Sequence, residues 1–216
     1  METSQPILMT DNGQKTDETL AAIDLGSNSF HLMIAKSQFG ELRPVHALAE
    51  KVQLGETDDA GMLTTSAITR GLTCLERFKQ LIDSTSPEKI RIVGTNALRR
   101  AKNRQAFIDP AEQIMDAPID VIYGREEARL IYLGVAHTLS DDANVRLVID
   151  IGGGSTEFIL GERFEPKRLE SLQMGCVSYG RRYLPDGFIH REGFEAAYQR
   201  ARIEVSHIGR GYHSKQ

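Results

Sequence analysis

Ala21-Ala22-Ile23-Asp24-Leu25-Gly26-Ser27-Asn28-Ser29-Phe30-His31-Leu32-Met33-Ile34 and Leu147-Val148-Ile149-Asp150-Ile151-Gly152-Gly153-Gly154-Ser155-Thr156-Glu157-Phe158-Ile159-Leu160 follow one pattern twice. Aligned on Asp24 and Asp150, each reads as an apolar run, Asp, an aliphatic residue, Gly, two small residues, Ser, and a second apolar run. The pattern predicts strand, tight turn, strand, with a carboxylate near the tip. Gly in the turn permits positive φ and lets a ligand come close to the backbone N–H groups. Successive N–H groups in such a turn form a concave anion site suited to phosphate. An Asp beside that site would repel phosphate unless a cation lay between them. One such turn alone is compatible with an ordinary β-turn. Two in matching register point to a divalent metal and a phosphorylated substrate held between two related lobes. The second loop is not a dinucleotide fingerprint, because a β-like run follows the glycines where a helix would be required. No G-x-x-x-x-G-K-[ST] P-loop occurs in the chain.

The 216 residues allow one large domain or two small ones. Apolar and charged fractions are those of an ordinary globular protein. A net charge of −4 gives no general attraction to nucleic acid or to anionic membrane, so a polyanionic substrate must be attracted locally. Cys74 and Cys176, the two cysteines, suit a reduced, cytoplasmic compartment and are expected to act as small buried hydrophobes. No apolar run is long enough to span a bilayer, and with no basic stretch and apolar core in its first residues no signal peptide is expected. The six histidines lack metal-ligand spacing, so no His-ligated zinc is expected.

Met1 to about Thr19 is polar and predicts a flexible leader. The first hairpin runs on to a turn near Phe39-Gly40, and a third antiparallel strand is expected from Leu42 to Leu54, interrupted near Pro44. Ile68, Leu72, Leu75, Phe78 and Leu81 or Ile82 recur at helical spacing and predict a helix from Thr64 or Thr65 to about Ser84. A short buried strand follows at Ile90–Val93. Gly94-Thr95-Asn96-Ala97-Leu98-Arg99-Arg100-Ala101-Lys102-Asn103-Arg104 comes next, at a strand end where ligands collect in α/β sheets. Arg99 is the best placed of its cations to point inward. Arg100, Lys102 and Arg104 fit a solvated helix face. A helix near Arg104–Met115 and a strand at Ile119–Tyr123 lead to Gly124-Arg125-Glu126-Glu127-Ala128-Arg129. Two acids in the first turn of a helix are explained by its dipole, which composition favours, or by a general base at the site. After the second hairpin, a strand region through Leu172 and helices at Val177–Leu184 and about Glu192–Ile208 are expected.

These stretches together resemble the Ppx/GppA phosphatases, that is, exopolyphosphatase and guanosine pentaphosphate phosphohydrolase. The motifs are Asp24-Leu25-Gly26-Ser27-Asn28-Ser29-Phe30-His31, Gly94-Thr95-Asn96-Ala97-Leu98-Arg99, Glu126-Glu127-Ala128-Arg129-Leu130-Ile131, Asp150-Ile151-Gly152-Gly153-Gly154-Ser155-Thr156-Glu157 and Met174-Gly175-Cys176-Val177-Ser178. The resemblance runs from about Ala21 to about Val205. It implies an α/β fold of the actin, Hsp70 and sugar-kinase superfamily. In that fold an RNase H-like lobe (residues 21–139 here) faces a second lobe of the same kind (140–216), which this chain would leave incomplete, after a leader at 1–20. By position, it implies that Gly26, Ser27, Asn28 and Ser29, with Gly152, Gly153, Gly154 and Ser155, hold phosphate. Arg99 would bind the terminal phosphate of the chain. Glu127 would be the catalytic base, against the dipole explanation that composition favours. Asp24, Asp150 and Glu157 would hold Mg2+, mostly through water.

The implied activity is hydrolysis of the terminal phosphate of inorganic polyphosphate, with a guanosine polyphosphate as the alternative substrate. The segment Phe164-Glu165-Pro166, followed by Glu170-Ser171 and Met174-Gly175-Cys176-Val177-Ser178, leans to the first. Members of the family are longer and often dimeric, and the residues after Val205 look unlike them. The competing expectation is therefore a fragment that binds phosphate weakly and associates through uncovered strands. A kinase or actin-like ATPase sharing the hairpins is the third, opposed by the Gly94-to-Arg99 and Glu126-to-Arg129 motifs.

Overall fold

The computed structural model describes residues 18–39, 41–139, 144–209 and 211–212. Its first hairpin forms as the pattern predicts. Strands β1 (Glu18–Leu25) and β2 (Ser29–Gln38) pair antiparallel, with Asp24 opposite His31 and Leu25 opposite Phe30. Glu18 and Thr19, expected in the leader, already belong to β1. The rest of the leader lies outside the described residues, as do Gly40 and most of the chain after Gly209. Strand β3 (Glu41–Lys51) pairs with β2, and the register steps from Ile34↔His46 to Ala35↔Pro44, leaving Val45 as the extra residue of a bulge. An edge strand with a bulge accommodates Pro44, which has no N–H for a ladder. β3 stops at Lys51, short of Leu54, because the N–H groups of Val52 and Gln53 turn to donate to the Asn28 carbonyl at 3.0 and 2.8 Å.

Helix α1 (Thr65–Thr85) starts where Thr64 Oγ1 accepts the Ala67 N–H at 3.1 Å. It buries Ala67, Cys74, Leu75, Phe78 and Ile82. Strand β4 (Lys89–Gly94) lies parallel to β1, and β5 (Ile119–Val121) lies parallel to β4. Between them run α2 (Asn96–Arg100) and α3 (Gln105–Met115). The sheet order β3-β2-β1-β4-β5 is the RNase H-like arrangement that the resemblance implies. Its core places Ile23, Leu25, Phe30, Leu32, Ile34 and Ile92 against Leu75, Phe78 and Phe107.

Helix α4 (Gly124–Thr138) leaves the first sheet and packs on a second. That sheet comprises β6 (Val145–Ile151), β7 (Thr156–Glu162) and β8 (Glu165–Leu172), antiparallel in that order. Ala128, Tyr132 and Ala136 of α4 cluster with Ile159 of β7. The second hairpin thus repeats the first. Helices α5 (Cys176–Tyr183) and α6 (Arg191–Gly209) follow. Cys74 is buried, and burial first, then the neighbouring Glu50, push its thiol up to about 12. Cys176 is exposed, against expectation. It opens α5 at a loop junction, where its N–H bonds to the Gly152 carbonyl at 3.0 Å.

Candidate active site

The two hairpin turns meet. A Cβ placed on Gly153 would lie 2.9 Å from the Asn28 nitrogen and 3.2 Å from Ser27 Cβ. One placed on Gly154 would collide with Asn96 Oδ1 and lie 3.0 Å from Ser27 Oγ. The glycines therefore serve close approach. The positive-φ glycines among the described residues are Gly61 and Gly187, so the turn geometry expected of Gly26 and Gly152–Gly154 is not the one adopted. The first turn is held from behind, where the Gly55 N–H donates to the Ser27 carbonyl at 2.9 Å. The second is held by α5, because the Val177 and Ser178 N–H groups donate to the Gly153 carbonyl at 2.9 and 3.1 Å. Ser27 and Ser155 are both buried.

The carboxylates follow from the strand registers. Asp24 faces His31 across the first hairpin, and Asp150 faces Glu157 across the second. Directly opposed residues of an antiparallel pair hold their Cβ atoms roughly 5 Å apart. One Asp24 oxygen is buried without a hydrogen-bond partner, and the other lies 3.8 Å from His31 Nδ1. That pairing with Asp24 raises the His31 pKa. Burial, then the charge of Asp24, raises that of Asp150. Burial also raises Glu157, although Ser171 donates to its Oε1 at 2.8 Å and opposes the shift. An orphaned oxygen and carboxylates held above their ordinary range are the marks of a site that a hard divalent cation would relieve. The all-oxygen set fits Mg2+ in type. Among the described residues no three His, Cys, Asp or Glu side chains form a ligand set by themselves. An ion here would take the rest of its shell from water or phosphate.

Beside these groups lie Arg99 and Glu127. Their elements are adjacent because β4 and β5 are: α2 follows β4 and α4 follows β5. Arg99 Nη1 donates to Glu127 Oε2 at 2.8 Å and to the Ile122 carbonyl at 2.7 Å. Both side chains are only 15% exposed, and Arg99 Nη2 is buried without a partner. Burial first, then the charge of Glu157, pushes Glu127 up to about 7, against the pull of Arg99. A carboxyl that ionises near neutrality is suited to taking a proton from water. A guanidinium with a free buried N–H is suited to a phosphate oxygen. Glu126 behaves differently: Arg129 donates to both its oxygens, at 2.8 and 2.7 Å, and holds it below the ordinary carboxylate range. Of the two acids, Glu127 is the one turned toward the site.

Ser171, Asn96 and Gln173 take roles that were not assigned to them from sequence, and Arg100 takes one other than that expected. Ser171 holds Glu157, and it also packs where a Cβ on Gly124 would sit, at 2.5 Å from its Oγ. Asn96 and Arg100 both donate to Gln173 Oε1, at 3.2 and 2.8 Å. Arg100 is thus engaged across the two sheets and is no simple solvated cation. Asn96 stands in a quoted motif, but nothing in the spacing pairs it with a residue 77 positions away.

The family model for Ppx/GppA phosphatases matches residues 33–215. The match passes Val205, where sequence had suggested that the likeness ends. A Haemophilus influenzae protein named as a candidate exopolyphosphatase is 43% identical over 89% of this chain and 60% of its own length. A Photobacterium profundum protein named guanosine-5'-triphosphate,3'-diphosphate pyrophosphatase is 42% identical over 89% of this chain and 39% of its own. The chain therefore spans between about two fifths and three fifths of these relatives. Among solved structures, an exopolyphosphatase-like protein superposes with TM-score 0.85 at 28% identity, covering 91% of this chain and 62% of that one. The Aquifex aeolicus PPX-GPPA enzyme gives TM-score 0.72 at 29% identity, covering 89% and 64%.

Proposed function

Because the chain belongs to the Ppx/GppA phosphatase family, we propose that it hydrolyses the terminal phosphoanhydride bond of inorganic polyphosphate with Mg2+. The observation that carries this is the buried Arg99–Glu127 pair beside two touching glycine loops, with Glu127 at about 7. Glu127 takes a proton from water as the water oxygen attacks the terminal phosphorus. The bridging oxygen leaves with the electron pair of the broken P–O bond, yielding orthophosphate and a chain one unit shorter. Arg99 Nη2 and the loop N–H groups hold the equatorial oxygens and offset their charge. In such a transfer, positioning and electrostatics carry the rate. Mg2+ held by Asp24, Asp150 and Glu157 would neutralise phosphate charge.

A second substrate, a guanosine polyphosphate, is supported by the name of the Photobacterium profundum relative. Phosphate release from long-chain polyphosphate with Mg2+, compared between the chain and Glu127→Ala, tests the reading. Release by the parent and its loss in the variant are expected. No release from a folded parent, with either substrate, would leave a phosphate-binding fragment in its place.

A further inference from the structure

The α2 helix that carries Arg99 has five residues, too few to hold itself in place. Both its ends are tied to one side chain. Asn96, at its start, and Arg100, at its end, donate to Gln173 Oε1 at 3.2 and 2.8 Å. Gln173 is in turn fixed to the second glycine loop. It follows β8 directly, and its neighbour Met174 accepts from Thr156 Oγ1 at 2.6 Å, one residue past Ser155. Gly175 lies against Gly153 and Gly154 so closely that a Cβ on it would be 2.5 Å from their backbone. The path from the loop through Thr156, Met174 and Gln173 to α2 thus consists of direct contacts.

We propose that Gln173 is a positioning residue, clamping α2 so that Arg99 and the loop Gly152–Ser155 grip one phosphoryl group together. The proposal rests on the phosphatase function above. One acceptor oxygen serves two donors from the opposite lobe, so the contact between the lobes and the seating of Arg99 share one side chain. Gln173 is itself exposed, so replacing it opens no cavity in either core.

Two variants separate the clamp from bulk. Gln173→Leu keeps the size and removes the acceptor. Gln173→Glu keeps an acceptor for the same two donors. The direct measurement is amide hydrogen exchange, with α1 as an internal reference. The Arg99 and Ala101 N–H groups, which donate to Thr95 and Ala97 carbonyls at 3.0 Å, should exchange about tenfold faster in Gln173→Leu and as in the parent in Gln173→Glu. In phosphate release, Gln173→Leu should lower kcat by about tenfold with a smaller change in KM, and Gln173→Glu should restore it. Unchanged α2 exchange in Gln173→Leu overturns the clamp whatever the enzymology. A parent that releases no phosphate overturns the phosphatase function instead, and exchange alone then decides the clamp. Faster exchange with unchanged kcat in an active parent shows that the tie does not serve Arg99, and also overturns the proposal.

Discussion

Glu127 carries the sharpest expectations. Its carboxyl is pushed from 4.5 to about 7 by burial and by Glu157. A base must be ionised to act, so kcat/KM should climb with pH and level off no higher than about 7, because Mg2+ beside Glu157 would offset part of the charge that raises Glu127. Glu127→Gln should lower kcat by roughly 10³-fold, within the usual range for loss of a general base. Stability runs the other way. A carboxyl raised in the folded state binds its proton more tightly there than in the unfolded chain. Its contribution is therefore complete below the unfolded value of 4.5 and is lost as pH rises through about 7. Metal-free protein should show a falling urea midpoint between those two values, and Glu127→Gln should flatten that slope. Ser171 offers a second test at this scale. Its hydroxyl orients Glu157, so Ser171→Ala should weaken Mg2+ binding by roughly tenfold or more, read by titration calorimetry without substrate. An unchanged affinity would remove Glu157 from the ion's surroundings.

The paired turns are the elements on which the site depends. Gly154→Ala would press a methyl group into Asn96 Oδ1 and against Ser27 Oγ, both on buried side chains with little room to move. The lobes must part, so phosphate release should fall steeply while circular dichroism stays that of the parent. By contrast, Phe78→Ala in α1 empties a fully buried position in the first core and should cost about 3–5 kcal/mol, measured by urea unfolding. These elements were readable from sequence to different degrees. The hairpins and α1 were, because alternation, turn glycines and a Thr cap are local signals. β3 ended early because its last residues left the ladder to serve the Asn28 carbonyl, a choice made by tertiary contacts. Glu127 was ambiguous from composition, since its dipole role at a helix start is chemically sufficient. What distinguishes it from Glu126 is the approach of Arg99 from another element, and that approach exists only once β4 and β5 lie side by side. Gln173 carried no signal at all, because an amide between β8 and α5 is ordinary until Asn96 and Arg100 arrive from the other lobe.

At the scale of the whole molecule, the two lobes treat their sheets differently. The second sheet has one face under α4, where Ala128, Tyr132 and Ala136 meet Ile159. Strand β6, which stands where β1 stands in the first sheet, pairs only with β7 among the described residues, while β1 is flanked by both β2 and β4. Val145, Leu147, Ile149 and Ile151 along β6 are all exposed. On the first sheet, Ala22, Met33, Ala47 and Val93 border an open cavity of about 560 Å³ that Leu130 of α4 also reaches. A β edge unpaired among the described residues, with exposed aliphatic side chains, invites pairing with another chain, and contiguous apolar surface favours association. With a net charge of only −4, long-range repulsion offers little resistance to it. The chain should therefore self-associate with rising concentration, seen as a growing weight-average mass in sedimentation equilibrium. Val145→Lys with Leu147→Lys places charge on that edge without touching Asp150 or the glycine loop, and should shift the mass toward the monomer. A chain that stays monomeric throughout the micromolar range would show that these faces do not drive association.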